Sequence, residues 1–169
     1  MKKSLLLASI LLLSISAQLR AAEGAYAMVG GGLLTFDDGV DEIEPKQLLG
    51  RIGYNFNNYI GVGFEGGFSL IEDELFGVDF DVTTTFFYVR GSIPVGGKSS
   101  VYALIGPTNV DLTGSVGGFS ITGDDNDTGT GFGFETQLET LSFSVDYITY
   151  FDDDGVDVNS INFSLGSYF

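Results

Sequence analysis

Apolar and polar residues alternate with period two along most of the chain, the mark of strands with two unlike faces. In residues 46–56 Leu48, Gly50, Ile52, Tyr54 and Phe56 share one face, while Gln47, Leu49, Arg51, Gly53 and Asn55 share the other. Residues 60–70 repeat this, with Ile60, Val62, Phe64, Gly66, Phe68 and Leu70 opposite Gly61, Gly63, Glu65, Gly67 and Ser69. The pattern continues at 83–93, with Phe87, Val89, Gly91 and Ile93 on the greasy face. At 101–112 Tyr102, Leu104, Val110 and Leu112 are grouped as the apolar face, although Ile105 and Pro107 blur the phase. It returns at 130–138 and 141–151, and the chain ends on "SINFSLGSYF". With a less regular segment from Gly24 to Phe36 this predicts eight strands. The fold expected is all-β, an eight-stranded antiparallel up-and-down transmembrane β-barrel whose termini meet at one end.

The segment before these strands differs in kind. Lys2 and Lys3 precede the apolar run Ser4 to Ala17, too short to span a bilayer as a helix and suited to a secretory signal peptide. Residues 1–22 are therefore expected to be a signal peptide and 23–169 the barrel. Removal of 1–22 takes away Lys2, Lys3 and Arg20, leaving four basic residues against 23 acidic ones and moving the net charge from −16 to −19. Such a chain repels nucleic acid and bare anionic headgroups, so its charged partners are expected to be cations or basic surfaces. It has no cysteine, so no disulfide supports it.

The connectors alternate in length. Those at 37–45, 71–82, 113–129 and 152–158 carry 17 of the 23 acidic residues, whereas the turns near 57–59, 94–100 and 139–140 are short. Short periplasmic turns and longer outer loops are the asymmetry of a membrane barrel. Aromatics near strand ends, Tyr54, Phe56, Tyr59, Tyr102 and Tyr147, suit interfacial girdles.

The facing rule fixes one contact. A three-residue turn of Asn57, Asn58 and Tyr59 pairs Phe56 with Ile60 and hence Arg51 with Glu65. An ion pair between them is expected inside the barrel, with Arg90, Glu135 and Asp146 in the same network.

"GVGFEG", Gly61 to Gly66, spells a phosphate-cradling glycine motif, but it lies inside an alternating strand with no helix after it, so no nucleotide site is expected. Glycines there instead leave room for long side chains in a narrow lumen. "DDNDTGTGFGFE", Asp124 to Glu135, approximates a calcium loop through Asp124, Asn126, Thr128, Gly129 and Glu135, without flanking helices. No dedicated metal site or cofactor is expected. Weak divalent-cation binding by Asp124, Asn126, Asp127, Asp152 and Asp154 would bridge the loops to lipopolysaccharide.

These features together resemble the small outer-membrane β-barrels of the OmpX/Ail and OmpA transmembrane-domain kind. The resemblance rests on the alternation, the loop asymmetry and a terminal strand with Ile161, Phe163, Leu165 and Phe169 at alternate steps, which resembles a signal for the barrel assembly machinery. Ser167 departs from that pattern. The resemblance implies an outer-membrane location in a Gram-negative bacterium, contact with lipid and lipopolysaccharide, and a structural, adhesive or ligand-binding surface role. Enzymes of this architecture use histidine, and the chain has none, so no catalytic residues are assigned. The alternatives are a narrow ion-conducting pore and a soluble periplasmic barrel with its apolar face inside around a small apolar ligand.

Overall fold

A computed structural model describes residues 23–37, 42–70, 73–75, 78–116, 119–153 and 156–169. The expected signal peptide lies outside them. Eight long strands form the wall: β1 (Gly24–Asp37), β3 (Lys46–Asn55), β4 (Ile60–Ser69), β6 (Val78–Gly96), β7 (Ser99–Val116), β8 (Phe119–Leu138), β9 (Leu141–Asp153) and β10 (Val156–Tyr168). Two short strands, β2 (Glu42–Ile43) and β5 (Asp73–Leu75), extend β1 and β6 at the loop end. Each long strand pairs antiparallel with its sequence neighbours, and β1 pairs with β10, so the sheet closes.

The register sets the shape. From Gly24 the pairs run through Asn55, Gly61, Arg90, Leu104, Gly131, Ile148 and Ser160 back to β1 at Leu34, a stagger of ten residues. At about 3.3 Å per residue and about 4.8 Å between strands, that stagger tilts eight strands by about 40° and leaves a lumen that side chains fill.

Alternation then sorts the residues by chemistry. Ile52, Phe87, Ile93 and Phe132 point outward and are 59%, 60%, 66% and 65% exposed, and they belong to a belt that runs round the barrel. An apolar band of this extent suits hydrocarbon, not water. Arg51, Glu65, Arg90, Glu135 and Asp146 are buried on the other face. This arrangement is the reverse of the one a soluble barrel needs.

Two expectations require correction. Tyr102, Leu104 and Val110 face the lumen, buried, while Val101 and Ile105 take the outer face. Tyr102 is therefore not part of a girdle, although Tyr54, Phe56, Tyr59 and Tyr147 are exposed. The cause is an apolar layer within the lumen, which gives β7 greasy residues on both faces. The long connectors are also largely strand: β6 begins at Val78, and β7 pairs with β8 as far as Val116 and Phe119. After Ile105 the outward positions of β7 are Pro107, Asn109 and Asp111, so alternation fades while the backbone ladder continues.

The candidate functional site: a charged lumen beneath a projecting hairpin

The β3–β4 turn places the first ion pair. Asn57 Oδ1 accepts from the backbone N–H groups of Tyr59 and Ile60 at 2.8 and 2.9 Å, and Phe56 N–H donates to Ile60 O at 3.0 Å. This tight turn sets Arg51 opposite Glu65. Arg51 Nε donates to Glu65 Oε2 at 2.9 Å, and Nη2 bonds the same oxygen. The guanidinium also reaches Asp146 on β9, with Nη1 to Oδ2 at 2.9 Å and Nη2 to Oδ1 at 3.1 Å. Tyr150 donates to Glu65 Oε1 and Tyr102 to Asp146 Oδ2, each at 2.6 Å. Charges withdrawn from water persist only when their hydrogen-bonding capacity is met in this way.

Arg90 and Glu135 form a second cluster nearer the short turns. Arg90 Nη1 donates to Glu135 Oε2 at 2.7 Å, and Glu135 Oε1 accepts from Ser142 and Tyr168, both at 2.7 Å. The five expected charged residues thus form two clusters. Tyr102 joins them, bonding Asp146 while the Arg90 guanidinium stacks 4.0 Å from its ring centre.

The tyrosines were not recognised as part of this site, whereas the glycines of the Gly61–Gly66 stretch were expected to leave room for long side chains, as Gly63 does for Tyr88. A Cβ on Gly53 would lie 2.4 Å from Tyr26 Oη, one on Gly63 2.5 Å from Tyr88 Cζ, and one on Gly133 2.6 Å from Tyr102 Cζ. The glycines at these inward positions hold the rings against bare backbone. Inward glycine opposite inward tyrosine was the available signal. Toward the loop end, Leu34, Val82, Phe86, Val110, Ile148 and Val158 pack into an apolar layer above the charges. The lumen is thus crossed by side chains at successive levels.

The calcium-loop spacing does not survive folding. Asp124 and Glu135 lie on one extended strand, about 35 Å apart at eleven steps, and Glu135 belongs to the lumen. Asn126 Oδ1 accepts from Asn109, and Asp127 accepts from the backbone N–H groups of Thr128 and Asp152. Asp154 lies outside the described residues, as does the side chain of Asp124. Among the described residues no group of three acidic side chains converges on a metal position.

The outer end carries a different feature. The outward apolar run of β7 stops at Ile105, yet the strand continues eleven residues to Val116, about 35 Å along its length. Headgroups occupy only about 5–8 Å on each side of the hydrocarbon, so this hairpin extends well past them. Above Thr130, β8 pairs only with β7 among the described residues, which leaves its other edge open.

A closed eight-stranded barrel with a greasy exterior and a charged, filled lumen defines an outer-membrane barrel. The chain belongs to the outer membrane protein beta-barrel domain family, which its sequence matches over residues 5–169. Among solved structures it is similar to Ail, the attachment invasion locus protein of Yersinia pestis, at 20% identity and TM-score 0.69, covering 87% of this chain and 99% of that one. Neisserial surface protein A has 11% identity and TM-score 0.68, covering 89% of this chain and all of the other. OprG from Pseudomonas aeruginosa has 14% identity and TM-score 0.57, covering 90% and 99% respectively. No curated protein matches the sequence. The protein is an outer-membrane β-barrel with the fold seen in Ail and Neisserial surface protein A, located in the outer membrane of a Gram-negative bacterium.

Proposed function

We propose that this barrel is a non-enzymatic anchor that presents an acidic binding surface outside the cell. The observation that carries this reading is the β7–β8 hairpin, which projects beyond the lipid with an open strand edge. An unpaired edge offers backbone hydrogen bonds to an incoming strand, and the surrounding acidic residues select its charge. Ail has been crystallised with the heparin analogue sucrose octasulfate. The acidic connectors and low basic content of this chain disfavour a polyanion, so the partner proposed here is a basic protein surface. Divalent cations would in turn link the connectors to lipopolysaccharide.

The lumen supports the same assignment. The Glu65, Asp146 and Glu135 carboxylates are each held by an arginine and a tyrosine, so none of these three is a free base. The crossing side chains and the apolar layer oppose ion flow. On the outer face Ile161, Phe163, Leu165 and Phe169 are 45%, 49%, 47% and 45% exposed, available to the barrel assembly machinery. Ser167 is instead buried beside the β8–β9 turn, donating to Thr140 O at 2.9 Å.

The test uses the barrel in nanodiscs over immobilised histone and immobilised heparin. Salt-sensitive binding to histone alone is expected, weakened when residues 113–122 are replaced by a two-residue turn. Heparin binding, or an unchanged affinity in the shortened variant, would overturn the proposal.

A further inference from the structure

A cavity of about 120 Å³ lies at the foot of the barrel beside the short turns, the periplasmic end by the loop-length rule, and it is open on one side. A water molecule needs only about 15 Å³ measured this way, so the space admits a small organic group. Asn55, Arg90, Ser92, Lys98, Glu135 and Tyr168 contribute to its lining.

Two of these residues have hydrogen-bonding capacity that the fold leaves unused. Tyr168 gives its single proton to Glu135 Oε1, so it meets Asn55 as an acceptor and takes the Asn55 Nδ2 donor at 3.3 Å. That orientation leaves Asn55 Oδ1 buried with no partner, although the residue is only 5% exposed. A buried amide oxygen left unpaired is destabilising, and a ligand donor would relieve that cost. Arg90 spends Nη1 on Glu135 and Nε on Ser92 at 2.9 Å, and its Nη2 has no hydrogen-bond partner among the described residues.

The charges narrow the ligand class. A cation would be repelled by Arg90 and Lys98. An anion would meet Glu135 and would have no proton for Asn55 Oδ1. A neutral hydroxyl group both donates and accepts, so its chemistry matches an unpaired acceptor such as Asn55 Oδ1 as well as an arginine donor such as Arg90 Nη2. Ser92, Ser99, Ser100, Asn58 and Gln137 add further uncharged donors and acceptors around the space. We propose that this cavity binds a saccharide, one ring entering from the periplasmic side, either as a free sugar or as the end of a glycan chain. The proposal concerns the pole opposite the projecting hairpin and stands independently of the surface role.

The experiment places the full mature barrel in nanodiscs, avoiding sugar-headed detergents. Backbone and side-chain amide resonances of Asn55, Asn58, Lys98 and Gln137 are followed by NMR during addition of N-acetylglucosamine or chitotetraose, with acetate and choline as charged controls. Saturating shifts at these residues are expected with the sugars and not with the controls. Asn55→Ala should weaken the affinity by about tenfold, the upper range for one lost hydrogen bond. Gln137→Leu, at a half-buried position on the cavity wall, should weaken it in a barrel that still folds. Tighter binding of chitotetraose than of the monosaccharide identifies a chain end as the ligand, and equal binding identifies a free sugar. Absence of shifts with both sugars, equal shifts in both variants, or saturation by acetate would overturn the proposal.

Discussion

Replacing Arg51 by methionine keeps much of the side-chain length but removes the one cation between Glu65 and Asp146. Those carboxylates are 1% and 0% exposed in their side chains, and four hydrogen bonds from Arg51 are lost together. Each keeps one tyrosine donor, Tyr150 or Tyr102, which is too little for a charge held away from water. Removing one partner of a buried pair costs about 3–5 kcal/mol, and here two carboxylates lose the same partner, so the upper part of that range applies. With a slope of about 2 kcal/mol per M urea, the unfolding midpoint should fall by about 2 M. The assay is urea unfolding in detergent micelles, read by circular dichroism, because the chain has no tryptophan. The companion variant Arg51→Met with Glu65→Gln and Asp146→Asn removes the orphaned charges and should recover most of the loss. An Arg51→Met midpoint within about 0.5 M of the parent, or a triple variant no more stable than the single one, would refute the reasoning.

Other expectations follow from the two faces. Gly63→Ala drives a methyl group into the Tyr88 ring and should cost about 1–3 kcal/mol in the same assay, whereas Gly50→Ala, with nothing within 4 Å, should be close to neutral. Phe132→Lys on the outer face should destabilise the barrel by up to about 2–4 kcal/mol if the site lies near the bilayer midplane, and a cost near zero would place it outside the hydrocarbon. Planar-bilayer recordings of the purified barrel should show no steady conductance, since the charged layer and the apolar layer both obstruct the lumen. Stable single-channel steps would contradict that.

Strand number, closure and the facing of β3, β4 and β10 were legible because each of those strands meets lipid on one side and a polar lumen on the other. The Arg51–Glu65 contact followed from one three-residue turn, since a single step of register would have put Arg51 into lipid. β7 was misread because alternation identifies two faces without naming the inner one, and Leu104 and Tyr102 both point into the lumen, Tyr102 reaching Asp146. The reach of Arg51 to Asp146 was not fixed by sequence, because it joins strands that are not neighbours across the width of the barrel. The hairpin from 113 to 122 read as loop because Gly, Ser and Thr outnumber Val116, Phe119 and Ile121 there, and backbone pairing by itself leaves no mark on the sequence.

The most direct test of the central claim is gel migration of the protein from a detergent-extracted outer-membrane fraction, with and without boiling. A closed barrel with its apolar face in lipid should fractionate with the outer membrane and run faster unheated, its hydrogen-bonded wall resisting the detergent. Recovery in the soluble periplasm with no heat-dependent shift would contradict the account and return the apolar face to the inside.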